Sequence, residues 1–239
     1  MTLMFIQAAP IYGADSGTSV PSAVIDMGLK FLDNPGDFFF NLHSDNEDYS
    51  PLPTEKHGAV RFNFFPTFFP LTWGNISLKA KILNEKGYIP QLDISGTYGD
   101  LLALRMIPSD DKGDSVKPVF TDISYGLIIS KSVNDKTKIF GGARYSTINM
   151  DVTFSTPVKM GAFEMASLNF KVDDTIVYSG ISHKVAPDAY VVAQAGYGFK
   201  YKKIVSRIVM SHKHLELGLD IFPEGLLVFH PFMAWHWYF

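Results

Sequence analysis

The side chains whose type and spacing could support chemistry are few. His212 and His214 lie two apart, which on a strand puts both imidazoles on one face and is compatible with a metal site. No carboxylate or third histidine is placed by sequence to complete the ligand set, and a turn is the simpler reading. Ser182 and His183, with Asp188 nearby, supply the residue types of a hydrolytic triad. Adjacent strand residues point to opposite faces, so this serine and histidine cannot meet as nucleophile and base without a distortion. The acidic run Asp110, Asp111, Lys112, Gly113, Asp114 could hold a divalent cation but reads first as a solvated loop. Gly141-Gly142, and Gly196 with Gly198, lack the following helix and lysine of a phosphate loop and fit crowded packing on strands instead. With no cysteine there is no disulfide, thiolate metal site or cysteine nucleophile. No residue is assigned a catalytic, cofactor-binding or metal-binding role.

What remains is a set of charges at alternate positions along apolar runs. Ile76, Leu78, Ala80 and Ile82 alternate with Ser77, Lys79 and Lys81, and Leu92, Ile94 and Tyr98 with Gln91, Asp93, Ser95 and Thr97. The same period of two recurs over 122–130, 191–200 and 215–221, as expected of two-faced strands. The pattern predicts strands near 58–69, 75–84, 88–99, 119–131, 138–150, 169–184, 188–200, 203–211, 215–222 and 226–239, about ten in all, with eight or twelve as alternatives. Alternation is poorest at 138–150 and 203–211. Tight connections at Asn84–Gly87, Asn134–Thr137, Val185–Asp188 and His212–His214 contrast with long ones at 100–118 and 151–168. Ten strands would bring both termini to the short-turn side.

Length and composition narrow the class. The 239 residues suit one barrel, and the formal charge of -3 gives no electrostatic footprint for nucleic acid. Aromatic residues make up 14% of the chain while the mean hydropathy is only +0.07, so large rings are interleaved with polar residues. No stretch approaches the ~20 apolar residues of a spanning helix; a chain like this would cross a bilayer as strands. Residues 1–14 resemble the apolar core and small-residue end of a signal peptide, although no basic residue precedes them. Residues 15–57 form a separate segment. Ile25, Leu29 and Leu32 fall at helical spacing between a capping Ser22 and Asn34-Pro35-Gly36, which predicts a short helix that packs under a barrel mouth or plugs it. Residues 44–57 read as a polar linker, and the barrel proper runs over 58–239.

The chain ends FMAWHWYF, with Met233, Trp235, Trp237 and Phe239 on one face and Tyr238 next to the end. This resembles the C-terminal strand of bacterial outer-membrane β-barrel proteins, which ends in an aromatic residue and is recognised by the barrel-assembly machinery. Trp and Tyr also suit the bilayer interface, where a ring sits among lipids while its polar edge stays wet. The resemblance implies an all-β, antiparallel, up-and-down transmembrane barrel in the bacterial outer membrane, with outer-membrane lipids and the assembly machinery as partners. With the apolar set facing lipid, Lys79, Lys81, Asp93, Asp122, Arg144, Lys200, Glu216 and Asp220 face the lumen. A barrel of ~8 strands is just filled by side chains and one of ~16 leaves a wide channel, so these charges should pair across a narrow interior. The leading expectation is a non-enzymatic barrel acting as a narrow pore or a structural or assembly component. An outer-membrane enzyme working on lipid or peptide at the rim, and a soluble barrel binding an apolar ligand, are the alternatives; the last requires apolar residues to point inward.

Overall fold

A computed structural model describes residues 49–65, 73–101, 119–160, 163–223 and 229–239. Ten strands follow one another in sequence: β1 (Gly58–Phe65), β2 (Trp73–Leu83), β3 (Gln91–Leu101), β4 (Val119–Ser132), β5 (Thr137–Met160), β6 (Phe163–Ala186), β7 (Ala189–Gly198), β8 (Lys203–His212), β9 (Leu215–Ile221) and β10 (Phe229–Tyr238). Each pairs antiparallel with its neighbours in sequence, and β1 pairs with β10 to close the barrel. Closure leaves no sheet edge within the wall, which is the usual reason for a β-protein to form a barrel. The predicted helix at 22–32 and the acidic loop at 110–114 lie outside the described residues.

One end of the barrel is made of tight turns. Lys213 adopts a left-handed φ of 50° between β8 and β9, and Gly87 a φ of 56° between β2 and β3. The start of β1 and the end of β10 meet at this side: His57 and Gly58 donate to the Phe239 carbonyl, and Phe239 N–H returns a bond to Gly58. The Phe239 ring lies where a side chain at position 58 would stand, so glycine there seats the terminal aromatic.

The long connection expected at 151–168 is instead strand. β5 and β6 continue to Met160 and Phe163, with register kept from Thr137↔His183 to Thr153↔Ser167 and restored at Val158↔Met165 after an irregularity. Beyond Asp151 β5 loses β4, and beyond Ile176 β6 loses β7, so among the described residues the far part of this hairpin is flanked by no other strand. The sequence hid it because Thr153, Ser155, Pro157 and Gly161 carry loop-like composition.

Alternation along the strands sorts the residues onto two faces. The outer face exposes Leu78, Ile82, Ile94, Tyr125, Leu127, Ile181, Ile208, Met210, Leu217, Met233, Trp235 and Trp237. The inner face buries Arg61, Lys79, Asp93, Asp122, Arg144, Asp174, Arg207, Glu216, Asp220, His230 and His236. This is the inverse of a soluble protein, in which charged groups are almost never fully buried and large apolar side chains mostly are.

Candidate functional site

The interior is the part of the molecule where charge, burial and convergence coincide. Arg61 meets Glu216 with two parallel bonds, Nε to Oε2 and Nη2 to Oε1, each 3.0 Å. Arg207 grips Asp220 in the same bidentate way, with Nη2 to Oδ2 at 2.7 Å. Such forked pairs are the strong form of the carboxylate–guanidinium contact, and burial makes an unpaired member costly. Arg144 donates to the hydroxyls of Thr97 and Ser124. His236 donates through Nε2 to the Lys213 carbonyl at 2.7 Å and turns Nδ1 toward Glu216, 3.7 Å away.

Of the lumen charges expected from sequence, Asp93, Asp122, Arg144, Glu216, Asp220 and Lys79 are buried on the inner face, and Lys81 reaches inward at the short-turn mouth. Lys200 is not among them. It lies exposed past the end of β7, in the turn 199–202, and pairs with Asp173 at 2.6 Å. The strand stops at Gly198 because the chain reverses there, with Lys202 at a left-handed φ of 55°.

A segment of the chain itself occupies the interior. Residues 49–53, read from sequence as part of a polar linker, run through the short-turn mouth into the lumen, where Tyr49, Pro51, Leu52 and Pro53 are buried. Six hydrogen bonds tie barrel side chains to the main chain of residues 50–54. Lys79 donates to the Ser50 carbonyl, Gln91 and Lys138 to that of Leu52, and Lys81 to those of Pro53 and Thr54. Asp93 accepts from Leu52 N–H at 2.9 Å. The composition misled because Pro51 and Pro53 mark a turn or linker by rule, while here they supply buried chain with no N–H to satisfy.

Tyr49 anchors the inner end. Its ring stands edge-on to Tyr178 at 4.7 Å and lies between the guanidiniums of Arg144 and Arg207, each 5.4 Å from its centroid. Arg207 also covers Phe232 at 4.5 Å, and Arg61 covers the same ring at 5.6 Å. A stack of alternating cation and ring, Arg61, Phe232, Arg207, Tyr49, Arg144, therefore crosses the lumen. Attraction between a cation and a ring face strengthens when both are out of water. Around it Ile128, Phe140, Tyr178, Val192 and Val209 form an apolar belt, each from a different strand.

The belt is admitted by glycines. Gly142 stands directly opposite Tyr178, Gly180 opposite Phe140 and Gly218 opposite Phe232. A methyl group at any of the three would collide with the facing ring. Between the segment and the wall lies a cavity of about 30 Å³, lined by Lys138, Ser182, Tyr190 and Glu216 among others, room for one or two waters.

The other sequence candidates are placed apart from this site. Ser182 points inward and His183 outward, where its Nδ1 meets Thr137 Oγ1 at 2.9 Å. His214 lies flat on Trp235, with centroids 6.0 Å apart, outside the barrel. Among the described residues no three His, Asp or Glu side chains converge as metal ligands. Tyr49, Leu52, Arg61, Gln91, Lys138, Arg207 and Phe232 were not expected from sequence as members of one site, whereas His230 and His236, expected to face the lumen as buried histidines, do so. The class defined by fold and site is a closed ten-stranded antiparallel barrel with an apolar exterior and a charged, self-occupied interior. No protein-family model matches the sequence, and no curated protein shows significant similarity to it.

Proposed function

We propose that the chain is a non-enzymatic outer-membrane barrel and that it works as a narrow pore held shut by its own residues 49–53. The observation that carries this reading is the inversion of faces: apolar side chains lie outside and buried ion pairs inside. A bilayer is the solvent in which that arrangement is favourable. Strand length supports it, since β2, β3, β7, β8 and β10 have 10 or 11 residues, the length of a tilted strand crossing a bilayer of ~30 Å. Exposed Trp235, Trp237 and Phe239 beside the short turns fit one interfacial girdle, and the same strand carries the resemblance to the assembly signal of bacterial outer-membrane barrels. A soluble barrel binding an apolar ligand would need the faces reversed.

The test is the solvent requirement of the folded state. Expressed with an export signal in a Gram-negative host, the protein should fractionate with the outer membrane and resist extraction by high salt. Purified, it should keep its strand signature in detergent and precipitate on detergent removal. A folded monomer stable in plain buffer would overturn the reading.

A further inference from the structure

The contacts that hold residues 49–53 define a chemical preference. The mouth offers mostly donors: the ammonium groups of Lys79, Lys81 and Lys138 and the amide of Gln91 meet main-chain carbonyls, while the Asp93 carboxylate accepts from Leu52 N–H. A chain seated there must present several carbonyls and few N–H groups, and proline at alternate positions does this by removing donors and by favouring an extended backbone. Two side-chain contacts add selectivity. An aromatic ring fits between Arg144 and Arg207, and three residues later an aliphatic side chain is fully enclosed, as Leu52 is.

From this geometry we infer that the short-turn mouth is a binding site for extended, proline-containing peptide of the pattern aromatic-x-Pro-aliphatic-Pro, filled in the resting protein by the chain's own Tyr49 to Pro53. The inference deepens the reading of a self-closed lumen and does not depend on which membrane surrounds the barrel. Because most of the bonds go to main chain, a second peptide of this pattern can replace the tethered one bond for bond. Its arrival would displace residues 49–53, so binding and unplugging are the same event.

The experiment uses the full chain folded in detergent micelles, where failure to insert into a membrane cannot be confused with failure to bind. A labelled peptide of sequence Tyr-Ser-Pro-Leu-Pro-Thr is titrated against the wild type and against the double variant Tyr49→Ala/Leu52→Ser, which loosens the tethered segment. The double variant should bind, and at least tenfold more tightly than the wild type, whose site is occupied. The same peptide with both prolines replaced by alanine should bind about tenfold more weakly, the cost of burying N–H groups without acceptors. Should the double variant fold poorly, the native chain's lack of cysteine allows a second measurement. Ser50→Cys should react slowly with a maleimide, and saturating peptide should accelerate the reaction. No binding by a folded double variant, equal binding of the alanine peptide, or a labelling rate unmoved by peptide would each overturn the proposal.

Discussion

Asp220 has no exposed surface and both its oxygens engage Arg207, which in turn covers Phe232 and Tyr49. Removing its charge strands a guanidinium at the centre of the stack. Asp220→Asn should therefore destabilise the barrel by about 3 to 5 kcal/mol, as much as or more than Ile208→Arg, midway along β8 on the outer face, where a charge near the bilayer midplane costs ~2 to 4 kcal/mol. Urea unfolding in detergent measures both; a near-neutral Asp220→Asn would show that water reaches this pair. A milder electrostatic device sits at the short-turn rim. Burial alone would push the Glu85 carboxyl up, but hydrogen bonds from Lys131 and from the Ser132 hydroxyl and N–H, with the Lys131 charge, outweigh it and hold the group below the ordinary glutamate range. Its contribution is thus present above the ordinary value and is lost as pH falls through the depressed one. The protection of the Ser132 amide, its exchange corrected for the intrinsic slowing at low pH, should fall on acidification in the wild type, and in Glu85→Gln it should be lower already at neutral pH and insensitive to that step.

At the scale of elements, the β5–β6 hairpin changes character along its length. Near the short turns its outer face carries Ile139, Val177 and Ile181; toward the far end the same face carries Asn149 and Asp151, the last positions of β5 paired with β4, and Asn169 and Lys171, beyond the pairing with β7. That switch marks where a bilayer would end, close to the Lys200–Asp173 ion pair. The projecting part adds no pairing to β4 or β7 among the described residues, so replacing 153–170 by a two-residue turn should leave the barrel's unfolding midpoint within the scatter of the wild type. A large loss would mean that the arm braces the wall. The strands themselves were legible in the sequence wherever one face is uniformly apolar and the other polar, as in β2, β3 and β4. They blurred in β8 because its inner face carries Val205 and Val209 beside Arg207, so both faces look apolar. The site was half legible for a related reason. Alternation reports the direction of a side chain, which identified Asp93, Asp122, Arg144, Glu216 and Asp220. It does not report partners across the lumen, and no local pattern could show that Tyr49 enters between two arginines that lie far along the chain.

For the whole molecule, closure of the ring and occupation of the interior are separate events with separate consequences. The wall is complete from Gly58 to Phe239 through its own hydrogen bonds. Opening the lumen should then be possible without breaking it. In a planar bilayer the intact protein should show little steady conductance, while Tyr49→Ala/Leu52→Ala should conduct and keep its strand content. A wide, steady conductance in the wild type would refute self-closure.

The order in which the chain is made adds a constraint of its own. Residues 49–53 leave the ribosome before any of the ten wall strands, yet the belt that surrounds Tyr49 includes Val209 and Phe232, which follow only after most of the wall has been made. The β1–β10 seam can form only once the last strand has arrived. Either the early segment waits in place while the sheet curls around it, or it enters a finished barrel through a mouth bounded by four tight turns and the two strand ends. In the first case the segment is a mandrel on which the cylinder is wound, and its loss would slow maturation even where the finished barrel tolerates its absence.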